Sequence, residues 1–208
     1  MKDILSVGKK LLLGTTNQTK LDRLRAIVES LPIEWVSLRD LGIHAEVNET
    51  GSSPEENALL KARAYSARTS IPTLSVDSAL IIDGLPPERQ PGLCVRRLSG
   101  KQASDSELLD HYVRELEEVG GHSGGRWTTA VALVVSAGQA FCSSFVVETL
   151  LTSKASPMVN PGEPLNSIQI LPATKKYKSE MTPEERLGIE SEADQRILTF
   201  IKEHLRYL

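Results

Sequence analysis

Alternating strand and helix signals in the first eighty residues constrain the fold of this chain more than any other feature. Residues 10–14 form a short apolar run that ends in a glycine. Apolar residues then recur at spacings of three and four, the pattern of an amphipathic helix: Leu21, Leu24, Ile27, Val28 and Leu31. Residues 33–38 alternate like a second strand. A strand, a helix and a strand in this order predict an α/β fold that begins with parallel strands.

A second helix is predicted to begin at Ser53 and to run to about Thr69. Ser53 is followed by Pro54 and, three residues on, by Glu56, which combines proline at the first helical position with a capping box. Residues 72–76 and 80–83 are then predicted as two strand pieces on either side of Asp77 and Ser78. Asp77 is therefore expected at the end of a strand.

The second half of the chain predicts more strands than helices. Ser104 and Glu107 mark a third helix, and Thr182 and Glu185 mark a last one. Between them we expect a flexible glycine-rich stretch at 120–125, a hairpin with strands near 126–135 and 140–151, and a short strand at 168–171. The prediction is an α/β fold with a mixed sheet, in a single domain over residues 1–208.

Charge and hydropathy exclude two kinds of partner. The net charge is −3 and the signs are mixed along the chain, which argues against a broad basic face for nucleic acid. The longest apolar run, 130–135, has six residues, whereas a membrane span needs roughly 20. No secretory signal is evident, so a cytoplasmic location is expected. Cys94 and Cys142 lack metal-ligand spacing, and their apolar neighbours predict buried thiols.

Thr15, Asn17 and Lys20 lie where the first strand meets the first helix. A helix N-terminus offers free N–H groups and a positive dipole end, and both suit a phosphate. Lys20 would add a full positive charge one turn further on. The alternative is a capped helix with a solvated lysine.

Glu49, Asn57, Lys61 and Asp77 are further candidates. The ends of strands are where α/β folds bind ligands, so Asp77 is expected to face one. The alternative for Asp77 is a turn aspartate that is hydrogen-bonded to its own backbone. For Asn57 and Lys61, one turn apart on the second helix, the alternative is a surface helix with a solvated amide and a solvated lysine.

Together these residues resemble the inosine triphosphate pyrophosphatase family, which clears non-canonical purine nucleoside triphosphates. That family opens with T-x-N-x-x-K, and residues 15–20 are T-T-N-Q-T-K. It continues with a glutamate eight residues before N-A-x-x-K-A, and here Glu49 precedes N-A-L-L-K-A at 57–62. Residues 76–80, V-D-S-A-L, and Pro91-Gly92 correspond to D-D-S-G-L and P-G. Four motifs therefore occur in the family's order over residues 11–100.

The resemblance implies an elongated α/β fold of two lobes around a central cleft, usually a homodimer. It also implies Mg²⁺-dependent hydrolysis of a nucleoside triphosphate to a monophosphate and pyrophosphate. By residue-by-residue transfer, Thr15, Asn17, Lys20, Lys61 and Ser78 would bind the substrate. Glu49 and Asp77 would hold the metal, and Asp77 would also act on the attacking water.

The resemblance is incomplete at two places. Val76 replaces the first acid of the D-D pair, and Ala79 replaces the glycine that follows. The family's base-binding loop, G-F-G-Y-D-P, overlays residues 162–167, where Glu163 and Leu165 replace its aromatic rings. A family lysine falls on Arg186, and S-H-R falls on residues 190–192, E-S-E.

These departures leave three functions open. The first is an active pyrophosphatase with a base preference different from inosine and xanthosine, in which Glu190 or Glu192 could accept from an amino-bearing base. The second is a catalytically impaired homologue that binds a nucleotide or a protein partner. The third is a pyrophosphatase that acts on another phosphoanhydride and needs no base readout.

Overall fold

A computed structural model describes residues 9–136, 138–172 and 174–208, except for the side chains of 183, 184 and 186–192. The strands are β1 (Lys10–Leu13), β2 (Glu34–Ser37), β3 (Thr73–Ile82), β4 (Arg97–Leu98), β5 (Lys101–Gln102), β6 (His122–Ser136), β7 (Gln139–Thr152) and β8 (Gln169–Ile170). The α-helices are α1 (Gln18–Val28), α2 (Pro54–Thr69), α3 (Asp105–Glu118) and α4 (Pro183–His204). Short 3₁₀ turns cover Pro87–Arg89, Pro164–Ser167, Lys178–Glu180 and Leu205–Tyr207.

Six strands form one mixed sheet in the order β2-β1-β3-β6-β7-β8. β1 pairs in parallel with both β2 and β3, whereas β7 and β8 are antiparallel. β4 and β5 form a separate antiparallel pair. The α/β class with a mixed sheet is therefore confirmed.

The chain divides into two compact units, and the boundaries between them fall within β3, β6, β7 and α4. The first comprises Met1–Asp77, Thr129–Phe145 and Asp194–Leu208. The second comprises Ser78–Thr128 and Val146–Ala193. A single domain over 1–208 stays a prediction.

β1 leads into α1 through a closely packed glycine. Leu11, Leu12 and Leu13 are fully buried, and the Gly14 N–H donates to the Leu74 carbonyl at 2.7 Å. A Cβ at Gly14 would lie 2.6 Å from Ser75 Oγ, whose hydroxyl donates to the Gly14 carbonyl at 2.8 Å. Only glycine fits here, because the backbone just after β1 lies directly against β3.

β3 runs without a break through the position where the sequence predicted a strand end. The prediction of two strand pieces around Asp77 was wrong, because the polar pair at 77–78 continues the extended backbone of a central strand. The parallel register with β1 covers only Thr73 and Leu74 of β3. Asp77 therefore lies in mid-strand, beyond the end of the shorter neighbouring strand.

α2 begins and ends as predicted. The Ser53 hydroxyl accepts from the Glu56 N–H at 3.2 Å, and Pro54 is the first helical residue. The Glu56 carboxylate bonds Ser52 rather than closing the box on Ser53. The helix packs on β6 through small residues, in a cluster of Ala58, Ala62, Ala130, Ala132 and Val134. These short side chains allow its backbone to approach the sheet closely.

α3 and the glycine-rich stretch at 120–125 both belong to the second unit, and the structure tests the prediction made for each. The capping box of Ser104 and Glu107 is confirmed, with both reciprocal bonds present. The prediction of a flexible stretch at 120–125 was wrong, because β6 already begins at His122. Gly125 is required by packing instead, since a Cβ there would lie 2.8 Å from the backbone carbonyl oxygen of Ile81.

The prediction for the start of the last helix was correct, whereas the prediction for the two cysteines was not. The capping bonds between Thr182 and Glu185 are present at 3.0 and 3.2 Å, as predicted. Cys94 and Cys142 are exposed, so the prediction of buried thiols was wrong. Cys94 lies in a loop and Cys142 lies in an exposed stretch of β7, where apolar neighbours in sequence provide no cover. None of the described helices combines the length and the apolar composition of a membrane-spanning segment.

Asp105, the first residue of α3, holds a turn of the 156–167 loop. Its carboxylate accepts from Arg96 Nη2 at 2.7 Å and from the Gly162 N–H at 2.6 Å. Arg96 Nη1 also donates to the Gly162 carbonyl at 2.9 Å. Asp105 and Arg96 therefore bind both the N–H and the carbonyl of Gly162. The Arg96 guanidinium, followed by the Gly162 N–H, lowers the pKa of Asp105.

Asp105→Asn is expected to lower the free energy of unfolding at pH 7 by about 1 kcal/mol. A lowered pKa in the folded state stabilises the fold above the ordinary aspartate pKa of about 3.9, and this contribution is lost as the pH falls through the folded-state value. Urea unfolding should therefore show a difference between variant and wild type at pH 7 that shrinks as the pH falls below the ordinary aspartate pKa of about 3.9. The control is Asp110→Asn, which changes an exposed aspartate on the same helix. A difference for Asp105→Asn that persists in acid would contradict the assignment.

Candidate functional site

Asp77 is the centre of a buried charge network in the first unit. The residue is 5% exposed, and its Oδ1 accepts from Lys61 Nζ at 2.8 Å and from Lys20 Nζ at 3.3 Å. Its Oδ2 is buried with no hydrogen-bond partner. The alternative of a turn aspartate bonded to its own backbone is therefore wrong, since two lysine ammoniums from other elements hold this carboxylate.

Lys61 lies between two carboxylates. Its Nζ lies 2.8 Å from Asp77 Oδ1 and 2.9 Å from Glu49 Oε1, and its side chain is only 10% exposed. The neighbouring Asn57 is 2% exposed. The alternative of a surface helix with a solvated amide and lysine is therefore wrong. Because one nitrogen contacts both acids, Lys61 brings Glu49 and Asp77 together.

Lys20, in the first turn of α1, is the second cation of the network. Its side chain is 32% exposed, so it lies at the edge between the buried acid and solvent. Burial lowers the pKa of Lys20, the Lys61 charge lowers it further, and the Asp77 carboxylate opposes both effects. The solvated-lysine alternative is wrong here too, because the ammonium has a carboxylate partner.

Thr15 and Asn17 shape the start of α1. Asn17 is the N-cap, and its Oδ1 accepts from the Lys20 N–H at 2.9 Å. Thr15 Oγ1 accepts from the Asn17 N–H at 3.2 Å, and Thr15 is buried. These bonds fix the helix N-terminus one turn before the Lys20 ammonium.

Ser78 follows Asp77 on β3 and is half-buried. Direct ion pairs thus join four of the seven residues that the resemblance assigns to substrate or metal: Lys20, Glu49, Lys61 and Asp77. Thr15, Asn17 and Ser78 are neighbours of these residues along the chain. The roles of all seven residues in binding substrate or metal stay predictions.

Glu49 lies in a segment, 45–51, that has neither helical nor strand structure. One face of α2 holds this segment through three side chains spaced four residues apart. Tyr65 Oη donates to the Ala45 carbonyl at 3.2 Å, Lys61 pairs with Glu49, and Asn57 Oδ1 accepts from the Gly51 N–H at 2.8 Å. The spacing of Asn57, Lys61 and Tyr65 beside two alanines was the signal in the sequence for this face, and sequence reasoning missed it.

The residues present fit a divalent cation bound together with a polyphosphate. Mg²⁺ takes hard oxygen ligands, often one or two carboxylates while phosphates and waters supply the rest. The buried Oδ2 of Asp77 is such an oxygen, and it has no other partner. Groups of three or more His, Cys, Asp or Glu that could cage an ion alone do not occur among the described residues. The two lysines match the phosphates in charge.

The loop that replaces the family's base-binding loop lies in the second unit. Leu165 is 6% exposed within the apolar core of that unit, so it cannot stack on a base. The Glu163 carboxylate accepts from the Asn166 amide at 2.8 Å. Arg186, Glu190, Ser191 and Glu192, which overlay the family's lysine and S-H-R residues, lie outside the described side chains.

Comparison with known proteins places this chain in a family. The model of the Ham1 family matches residues 11–193. A dITP/XTP pyrophosphatase of Wigglesworthia glossinidia brevipalpis is 31% identical over 93% of this chain and 98% of its own length. The Geobacter sulfurreducens protein of the same name is 39% identical, but the match spans 53% of this chain and only 54% of that relative.

The fold is shared with solved structures as well. A HAM1 protein from Coxiella burnetii has a TM-score of 0.79 at 24% identity, over 93% of this chain and 98% of that one. Such an identity speaks for the fold alone, whereas the family model and the Wigglesworthia relative extend along most of the sequence. This chain belongs to the Ham1 family.

Proposed function

We propose that this protein is a Mg²⁺-dependent nucleoside triphosphate pyrophosphatase that releases pyrophosphate and a nucleoside monophosphate. Two relatives that match 89% and 93% of this chain bear the name dITP/XTP pyrophosphatase. The single observation that carries the proposal is the buried, unpartnered Oδ2 of Asp77 beside two lysines. A buried carboxylate oxygen without a donor is uncommon in native proteins, and it fits an oxygen that a cation or a reacting water satisfies.

The two lysines would exchange partners when a triphosphate binds. In the structure both ammoniums contact the same oxygen, Asp77 Oδ1. Phosphate oxygens are competing acceptors of higher charge, so Lys20 and Lys61 would move towards them and stabilise the pyrophosphate leaving group. The helix N-terminus at Asn17 would add its positive dipole end. This exchange would also leave Asp77 available for the reaction.

Asp77 would then orient the attacking water and accept its proton at a carboxylate oxygen. Its position in mid-strand, buried and held by neighbouring elements, fixes the direction of attack. Glu49 and Asp77 would hold the metal. The metal, when bound, supplies charge neutralisation at the phosphates and lowers the pKa of a coordinated water.

A catalytically impaired homologue that binds nucleotide is the second candidate. Val76 is 6% exposed and replaces an acid of the family motif, so one oxygen ligand is missing from the site. Such a protein would be stabilised by dITP and Mg²⁺ without any release of pyrophosphate. Measuring ligand-induced thermal stabilisation and turnover on the same preparation separates the two candidates.

An altered base preference is part of the proposal, and the buried Leu165 supports it. A site that forms hydrogen bonds to a base lowers kcat/KM for analogues without the matching groups by about 10⁴-fold or more. A site with only apolar contacts separates the kcat/KM values of two substrates by about 10- to 200-fold. We therefore expect kcat/KM for dITP to exceed that for dATP by less than about 200-fold.

The experiment measures pyrophosphate release from dITP, XTP, dATP, dGTP and dCTP with Mg²⁺. A preference for dITP of about 10⁴-fold would contradict the altered base readout but leave the pyrophosphatase intact. Equal rates on all bases would favour the third alternative, a phosphoanhydride substrate that needs no base readout. No release from any triphosphate would overturn the enzymatic proposal.

A homodimer and a cytoplasmic location stay predictions. The homodimer is supported by Val146 and Leu150 of β7, which are 49% and 46% exposed. They are four residues apart on a strand and so lie on the same face, where a second copy could cover them.

A further inference from the structure

The position of Glu49 depends on side chains of α2 rather than on regular secondary structure. Segment 45–51, which carries Glu49, lies outside helix and strand, so no sheet ladder fixes its path. Its two ends are instead attached to α2 by Tyr65, at the Ala45 carbonyl, and by Asn57, at the Gly51 N–H. Glu49 lies between these two attachments and two residues from the second.

The contact between Asn57 and Gly51 is tightly fitted. Asn57 is 2% exposed, and its Oδ1 accepts the Gly51 N–H at 2.8 Å. A Cβ on Gly51 would lie 2.6 Å from that same oxygen and 2.7 Å from Glu56 Cβ. The backbone therefore passes at a distance that only glycine permits, and the Asn57 amide sets that distance.

We infer that Asn57 is a positioning residue that directs the Glu49 carboxylate towards Asp77 and thereby sets the affinity of the site for a divalent cation. The inference rests on the proposed metal role of Glu49 and Asp77. The Asn57 amide acts through the Gly51 backbone and does not need to touch the ion. Groups that orient metal-binding side chains commonly change metal affinity by about 10- to 100-fold when they are removed.

A double-mutant cycle on metal binding tests this inference. Binding of Mn²⁺ alone is measured by electron paramagnetic resonance on wild type, Asn57→Ala, Glu49→Gln and the double variant, with the Mg²⁺ activation curve as a second readout. Asn57→Ala is expected to weaken Mn²⁺ binding by about tenfold. In the Glu49→Gln background the same change should have less than about a twofold effect, because Asn57 acts through Glu49.

Two further variants distinguish positioning from general damage. Asn57→Asp keeps an acceptor for the Gly51 N–H, so it should bind Mn²⁺ at least as tightly as wild type. Gln90→Ala is the matched control, because its amide likewise binds backbone groups, those of Ile82 and Leu85, in the second unit. It should leave Mn²⁺ binding within about twofold of wild type.

The outcomes separate this inference from the proposed function. If Glu49→Gln leaves Mn²⁺ binding unchanged, the proposed metal role of Glu49 fails, and the inference fails with it. If Glu49→Gln weakens binding but Asn57→Ala does not, only the inference is overturned. If Asn57→Ala does not fold, Asn57→Asp decides: tight binding supports the inference, and a tenfold loss overturns it.

Discussion

Replacing Asp77 with asparagine is expected to lower kcat for pyrophosphate release from dITP by about 10²- to 10⁴-fold. The amide can still accept from Lys61 and Lys20 through its oxygen, so the network keeps its shape. The asparagine side chain lacks the negative charge that binds a cation and the basic oxygen that accepts a proton from water. The measurement is single-turnover release of pyrophosphate with saturating Mg²⁺, which separates the chemical step from product release.

A second aspartate near the end of the same strand provides the control. Asp83 directly follows β3, is half exposed and pairs with Arg126 at 2.9 Å. Asp83→Asn removes the same charge from a surface ion pair, so kcat should stay within about twofold of wild type. Equal loss of activity in both variants would mean that Asp77 contributes to the fold rather than to the reaction.

Lys61→Met is expected to lower the free energy of unfolding at pH 7 by about 3 kcal/mol. The substitution preserves an unbranched side chain of similar length but leaves Glu49 and Asp77 without the ammonium that both contact. Asp77 is 5% exposed, so solvent cannot replace the lost partner. Urea unfolding monitored by circular dichroism gives the difference.

Lys10→Met is the matched control for this loss. Lys10 pairs with Glu34 at the surface, with side chains 42% and 60% exposed, and its removal should cost less than about 0.5 kcal/mol. Adding Mg²⁺ should recover part of the stability of Lys61→Met, because a cation can replace the ammonium between the two carboxylates. Absence of any recovery would argue against a shared metal site at Glu49 and Asp77.

Local signals in the sequence predicted the helix starts well. Ser53, Ser104 and Thr182 each begin a helix with the expected capping bond, because a cap involves only residues within one turn of each other. The resemblance also grouped the motif residues Lys20, Lys61 and Asp77 in one site, where their roles stay predictions. Their assembly in one network was implied by the resemblance, and the structure brings them together.

Long-range packing could not be predicted in the same way. Asp77 looked like the end of a strand because polar residues interrupt the apolar run, yet its neighbours in the sheet keep the backbone extended. The alternative of a solvated Asn57 and Lys61 stayed open because the helix pattern alone does not show that an irregular segment covers them. Both features depend on tertiary contacts that a local pattern does not show, such as the ion pairs of Lys61 with Glu49 and Asp77.

The two acids of the site differ in how they are anchored, and this difference governs how each can be exposed. Asp77 belongs to the central strand β3, so freeing it requires breaking the sheet, an event that costs the global stability of the fold. Glu49 belongs to a segment attached by a few side-chain contacts, and such segments open at a fraction of that cost. Hydrogen exchange at the Gly51 amide would report this local opening, through which Glu49 can exchange partners while Asp77 stays fixed.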